Sequence, residues 1–181
     1  RHADIIRGNL EYFGEHYTSN HLSNNGRGLL RIGTALGRAD HAEAGAQIMV
    51  AEAGRIFGRS GVLREGSTHY HLLITRNYID AWLEAQAAGL DAADLLRDIV
   101  LRALAVIPSL CLPGGMPLIG DISPDIPPAC LGFFFGDRGG EGWLASLRDD
   151  RWYQARDLIS ASAALSPDKL AEDGWHRFGA H

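Results

Sequence analysis

Apolar residues recur at intervals of three and four along most of this chain, the period of helices packed on one side. From Ala3 to about Tyr17 the stripe is Ile5, Ile6, Leu10 and Phe13, with Asp4 and Glu11 on the other side. Thr18 and Ser19 are helix-start residues, so a second helix is expected near Asn20, through Leu22, Leu29, Leu30, Ile32 and Leu36. Gly37 should stop it, because a glycine just past a helix adopts the left-handed conformation that ends the ladder. A third helix is expected over about Asp40 to Phe57. It turns Ala44, Ile48, Met49, Ala51 and Phe57 inward and leaves His41 and Glu43 in solvent. A fourth is expected from Thr68 to about Ala88, ended by Gly89, with Leu72, Leu73, Ile79, Trp82 and Leu83 on its core face. The fifth, Ala92 to about Leu112, is apolar nearly all round, from Leu95 and Leu96 to Leu110, which predicts burial on most sides. Pro108 should kink it or end its regular part.

From Pro113 to about Gly142 the helical period is lost. Five prolines (Pro113, Pro117, Pro124, Pro127, Pro128) and many glycines fall here, with an exposed-looking Phe133-Phe134-Phe135 run. A stretch of that length without regular structure is expected to serve a function or to move. Helical character returns near Trp143, through Trp152 and Leu158 to Ala164, and Ser166-Pro167 should open a short last helix. No strand alternation of useful length occurs. The expectation is an all-α single domain over 1–181: antiparallel helical hairpins over about 3–112, a Pro/Gly-rich loop over about 113–142, and C-terminal helices over about 143–173. A bundle, a solenoid and an α/α toroid all fit this pattern, and the lack of a fixed-period repeat argues mildly against the solenoid.

Composition narrows the function classes. The chain has 181 residues, 46% hydrophobic and 22% charged, which allows one ordinary core. A net charge of −5 advertises no nucleic-acid partner, and any polyanion would need a local basic pocket. No apolar run is long enough for a membrane span. Cys111 and Cys130 make no disulfide framework; a single bridge is conceivable, and two small buried thiols are the leading expectation. The chain opens on Arg1 and stops at His181 without an obvious finish, as a piece of a longer protein would.

Two stretches concentrate chemistry. The first is Leu63-Arg64-Glu65-Gly66-Ser67-Thr68-His69-Tyr70-His71-Leu72-Leu73. Ser67 reads as an N-cap, which sets Tyr70 near the positive end of the fourth helix. A phenol there, beside imidazoles, would lose its proton more easily than a free one. The plainer alternative is a capped helix start with two solvated histidines and a packed tyrosine. The second is the polar face of the second helix, where Asn20, Asn24, Arg27 and Arg31 recur at helical spacing and His21 and Asn25 lie alongside. Amides and guanidinium groups on one face suit carboxylate recognition. The alternative is a solvated face, but asparagine is a poor mid-helix residue and three within six positions ask for a reason.

Several chemistries find no motif. Neither a Walker-type or dinucleotide glycine loop nor a Gly-x-Ser-x-Gly elbow is present. His69 and His71 diverge on a helix and lack a third ligand at motif spacing, so no metal is assigned. Glu65 with Asp121, Asp125 or Asp137 is a conceivable carboxylate pair for glycoside hydrolysis. Asn20, His21 and Tyr70 suit removal of the proton beside a carboxylate, the C5 proton of a uronic acid. Donors that neutralise the carboxylate stabilise the developing aci-carboxylate, and a His or phenolate takes the proton. That β-elimination needs no metal or organic cofactor.

Three segments resemble the heparinase II/III-like polysaccharide lyases and related alginate lyases. They are Ser19-Asn20-His21-Leu22-Ser23-Asn24-Asn25-Gly26-Arg27, Glu65-Gly66-Ser67-Thr68-His69-Tyr70-His71 and Pro117-Leu118-Ile119-Gly120-Asp121. The resemblance implies an incomplete α/α toroid, a fragment of a larger lyase acting on an acidic polysaccharide or oligosaccharide, with a C-terminal β-sandwich domain outside this chain. It implies Asn20 as a carboxylate neutraliser, His21 as binding group or base according to the C5 configuration, and Tyr70 as acid and also base. It also implies substrate-side roles for Asn24, Arg27, Glu65, His71 and Asp121. Relatives often carry an acidic residue at the position of Asn24, and often draw a further histidine from a later part of the chain, a role not assigned to His176 or His181, which lie close to the chain end. A secreted or periplasmic location follows from the substrate, and the Ala-, Gly- and Arg-rich composition points to a bacterial source. No dense Lys/Arg cluster exists for repeated sulfates, so a sparsely sulfated polymer is expected. The competing expectations are a non-catalytic glycan-binding module of the same fold and a toroid glycoside hydrolase.

Overall fold

The computed structural model describes residues 1–14, 20–135, 147 and 150–162. The described residues are mostly helical and include no strand; Leu112 and Gly115 form an isolated bridge. The helices are α1 (His2–Gly8), α2 (Asn20–Ala35), α3 (Ala39–Ile56), α4 (Thr68–Ala87), α5 (Ala92–Ala105), α6 (Ile107–Leu110), a 3₁₀ helix (Pro128–Phe135) and α7 (Asp150–Ser162). The chain divides into two compact units, one of residues 1–58 and 76–100, the other of 59–75 and 101–181. α4 and α5 each contribute residues to both.

In the first unit α2 and α3 form an antiparallel pair built on glycine. A Cβ on Gly26 would lie 2.9 Å from both the Gly45 carbonyl oxygen and Ile48 Cγ2, and one on Gly33 or Gly45 would run into the backbone of Ala42 or Leu30. The partners 26 with 45 and 48, 30 with 45, and 33 with 42 step in opposite directions along the two helices, which is what antiparallel packing requires. Leu29, Leu30, Ala42, Ala46 and Met49 close the core along this contact. α2 ends as its sequence demands. Gly37 takes φ +64°, the Arg38 N–H reaches the Gly33 carbonyl and the Gly37 N–H reaches that of Thr34, a complete Schellman motif. Gly89 ends α4 in the same way, with φ +66° and bonds from Leu90 to Ala85 and from Gly89 to Gln86.

α2 also meets the later part of α4 along a polar seam. Asn77 Nδ2 donates to Asn24 Oδ1 at 3.2 Å, Arg27 Nη2 donates to Asp80 Oδ2 at 2.7 Å, and Thr34 Oγ1 donates to Glu84 Oε1 at 2.6 Å. Numbers rise together on both sides, so the two helices run parallel, as alternate helices of successive hairpins do. Tyr78 lies on α3's side, its hydroxyl on the Met49 carbonyl at 2.9 Å and its ring edge-on to Phe57.

The second unit is organised on the N-terminal turns of α4. Ser67 Oγ accepts the Tyr70 N–H at 3.0 Å, the N-cap bond, and donates to the Asp121 carbonyl at 2.6 Å. Thr68 Oγ1 donates to the Pro117 carbonyl and accepts the Ile119 N–H, while the Thr68 N–H bonds the Ile119 carbonyl. The Ser123 N–H reaches His69 Nδ1 at 3.1 Å. Three consecutive side chains thereby hold residues 117–123 on the helix start. Gly120 takes φ +76°, and a Cβ there would press on Gly66 and Ser67.

Several expectations need correction. α1 stops at Gly8 rather than near Tyr17, because glycine weakens the helix and Asn9 Nδ2 folds back to the Ile5 carbonyl. Leu10 and Phe13 are accordingly exposed on an irregular segment. Residues 15–19, with the expected helix-start pair Thr18 and Ser19, lie outside the described residues. His41 is buried rather than solvated, with Nε2 3.1 Å from Asp4 Oδ1. Ala51 faces solvent. α5 is not buried all round, since Leu95 is exposed along with Asp94, Arg97, Asp98 and Arg102. It ends at Ala105, and Pro108 stands in the separate turn α6, where its missing N–H costs no ladder bond. Cys111 and Cys130 are free and half-buried. The expected loop contains the 3₁₀ helix, with Leu131 buried and Phe135 exposed. Asp137, Trp143, the Ser166-Pro167 start, His176 and His181 lie outside the described residues.

Two glycine substitutions in α3 should move stability in opposite directions. Gly45→Ala should cost roughly 1–3 kcal/mol or more, because two backbones must separate. Gly54→Ala, where an added Cβ meets nothing within 4 Å, should gain about 0.5–1 kcal/mol of helix propensity. Urea unfolding of both variants checks the pair. Equal effects would remove the close-contact account.

Candidate functional site

Asn20, His21, Asn24 and Arg27 belong to the first unit, and Glu65, Tyr70, His71 and Asp121 to the second. Asn20 opens α2 and is buried, and its carbonyl accepts Ser23 Oγ at 2.7 Å. His21 and Asn25 project from the same turn toward the irregular segment that follows α1. There they hold a carboxylate of this chain. His21 Nδ1 lies 3.1 Å from Glu11 Oε1, and Asn25 Nδ2 donates to Glu11 Oε2 at 3.1 Å. Asn25 Oδ1 in turn accepts the Glu11 backbone N–H at 2.8 Å. The bonds from His21, first, and Asn25 hold the Glu11 carboxyl below the usual glutamate range.

Two further residues of the α2 polar face, Asn24 and Arg27, are engaged inside the fold, while Arg31 is exposed. The Arg27 guanidinium, 23% exposed, is paired with Asp80, whose carboxylate is 9% exposed. Asn24 is exposed but accepts from Asn77. The reason for asparagines and arginine in mid-helix is therefore largely a neighbouring helix rather than a ligand. The sequence held a signal for this: Asn24 and Arg27 stand three apart, and so do Asn77 and Asp80, at one common offset. Glu11 offered no such signal, since a helix through Tyr17 would have turned it away.

In the second unit the Glu65-to-His71 and Pro117-to-Asp121 stretches come together through the Ser67 and Thr68 bonds described above. Tyr70 is half-buried in the first turn of α4, edge-on to His69 with ring centroids 6.2 Å apart. Glu65 and the Asp121 side chain are exposed. The two histidines are not solvated. His69 is fully buried and accepts from Ser123, so it anchors a loop rather than standing by. With Nδ1 accepting, the neutral ring carries its proton on Nε2, and that atom is buried without a hydrogen-bond partner.

His71 was expected on the substrate side, and here the geometry requires a correction. Nδ1 accepts the Leu63 N–H at 3.2 Å and Nε2 donates to the Ala103 carbonyl at 3.0 Å, with the ring 1% exposed. Both nitrogens are committed to tying the 59–63 loop to α5. Gly61 completes that contact, since a Cβ there would strike the Arg102 carbonyl. Burial pushes His71 down to about 4 from its ordinary 6.5, offset in part by the Ala103 bond.

Among the described residues no three His, Cys, Asp or Glu side chains gather as a metal site would need, and no helix is long and apolar enough to cross a membrane. The chain matches no family model, no curated protein and no solved structure.

The depressed His71 pKa ties stability to pH. The unfolded chain takes up this proton near pH 6.5, while the folded chain resists it to about 4. Stability from the neutral ring is thus full above pH 6.5 and is lost as pH falls toward 4, by about 3 kcal/mol in all. Urea unfolding across that range should show the loss in the wild type and a shallower slope in His71→Gln. Parallel slopes would count against this assignment.

Proposed function

We propose that this chain is an α/α-toroid segment of a polysaccharide lyase that cleaves a uronic-acid-containing polysaccharide by β-elimination. Successive hairpins with parallel alternate helices are in keeping with a toroid. The single observation that carries the reading is the start of α4, where the Ser67 cap leaves Tyr70 half-buried in the first turn beside the bonded Pro117–Ser123 loop. Supporting it is the first turn of α2, whose His21 already rests on a carboxylate.

In this reading Asn20 and His21 draw charge from the uronate carboxylate, so that the C5–H bond can release its proton and leave its electron pair in an aci-carboxylate. Tyr70 or His21 accepts that proton, according to the C5 configuration. The electron pair then forms the C4–C5 double bond, the C4–O4 bond breaks, and the Tyr70 phenol returns a proton to the departing oxygen. A β-sandwich domain beyond this chain and an extracellular or periplasmic setting belong to the same proposal. A non-catalytic glycan-binding module of the same fold is the second reading, favoured by the pairing of Arg27 with Asp80 and of Asn24 with Asn77, which withdraws two of the α2 groups from a catalytic site.

Incubation of the intact protein with uronate polymers should generate new ultraviolet absorbance from the conjugated double bond. Tyr70→Phe should lower that rate by roughly a hundredfold or more, with an unchanged circular dichroism spectrum. A variant as active as the wild type would sink the assignment, and binding without new absorbance would favour the second reading.

A further inference from the structure

The irregular segment after α1 turns tightly at Leu10–Tyr12, carries Glu11 onto α2 and is fastened at the next residue, where the Arg55 guanidinium lies over the Tyr12 ring at 5.3 Å from its centroid. Arg55 is itself held by the buried Glu52 through a 2.7 Å bond. Glu11 is thus presented by an anchored strap. Its two carboxylate oxygens go to different donors, Oε1 to His21 and Oε2 to Asn25. Both His21 and Glu11 stay about half exposed, at 56% and 45%, so a solute can reach the same donors.

We propose that His21 and Asn25 form a carboxylate-binding site which Glu11 occupies as a resident stand-in, and that the carboxylate of a uronate sugar takes the site by displacing the Glu11 side chain. The inference rests on the reading of the first turn of α2 as a place where carboxylates are recognised. It adds Asn25 as a ligand-binding residue and Glu11 as the group that keeps the site closed.

The orientation of Asn25 makes this site independent of its occupant. Asn25 Oδ1 is fixed by the Glu11 backbone N–H, which a side-chain change at position 11 leaves in place. With Oδ1 so held, Nδ2 must point where a carboxylate oxygen belongs. An intramolecular carboxylate competes at high effective concentration, so the wild type should bind an external carboxylate weakly and a chain without the Glu11 side chain should bind it better.

Titration of the full chain with sodium D-glucuronate, followed by NMR of backbone and Asn25 side-chain amides, tests this. Glu11→Ala should bind glucuronate at least tenfold more tightly than the wild type, with the Asn25 amide among the shifted signals. Glu11→Ala combined with Asn25→Ala should lose the gain, and D-glucose should show none in either background. Equal glucuronate affinity in Glu11→Ala and wild type would overturn the proposal, as would an equal gain for glucose. The elimination assay is a separate readout: tighter binding in Glu11→Ala without elimination by any form would retire the lyase reading and leave this site standing.

Discussion

Two helix backbones can come within contact distance only where no Cβ stands between them, and that constraint governs the first unit. Gly26, Gly33 and Gly45 clear the path for α2 against α3. Once α2 is pressed to α3 on its glycine side, the rotation of the helix is settled, and its polar residues must find other company. Arg27, Asn24 and Thr34 meet Asp80, Asn77 and Glu84 on α4. At the other end of the same helix, His21 and Asn25 meet Glu11. A buried charge without a partner is costly, and a helix that turns toward its neighbours with guanidinium and amide groups has to be answered in kind.

The second unit depends on a different economy of backbone groups. A helix start leaves N–H groups without intrahelical partners, and a loop rich in proline and glycine has carbonyls and amides that no ladder satisfies. Ser67, Thr68 and His69 answer both needs, since each bonds the 117–123 loop while the Ser67 hydroxyl also caps α4. That arrangement gives Tyr70 its defined setting and explains why two histidines flanking it are buried. One fastens a loop to the helix and the other fastens the 59–63 stretch to α5.

Much of the helical layout is legible in the chain because the signals are local. Gly37 and Gly89 mark the ends of α2 and α4 through their own backbone freedom, and Ser67 caps α4 through a bond three residues long. The extent of α1 was harder to read, because the apolar stripe through Leu10 and Phe13 outweighs the weak stop at Gly8 and Asn9. The candidate residues were legible as chemistry but not as arrangement. A carboxylate-seeking face is evident in Asn24, Asn25 and Arg27, yet nothing adjacent in sequence says that Asp80 and Glu11 supply the carboxylates.

The sequence by itself determined where α2 ends and where α4 begins and ends, and which residue types stand in their first turns, because period and capping act over a few residues. Only the tertiary structure decided what those turns face. The partner of His21 and Asn25, Glu11, lies beyond the end of α1, and those of Arg27, Ser67 and His69 lie some fifty positions away. Such contacts are fixed by how closely backbones can approach and by which polar groups would otherwise be left unanswered, and both are properties of the packed chain.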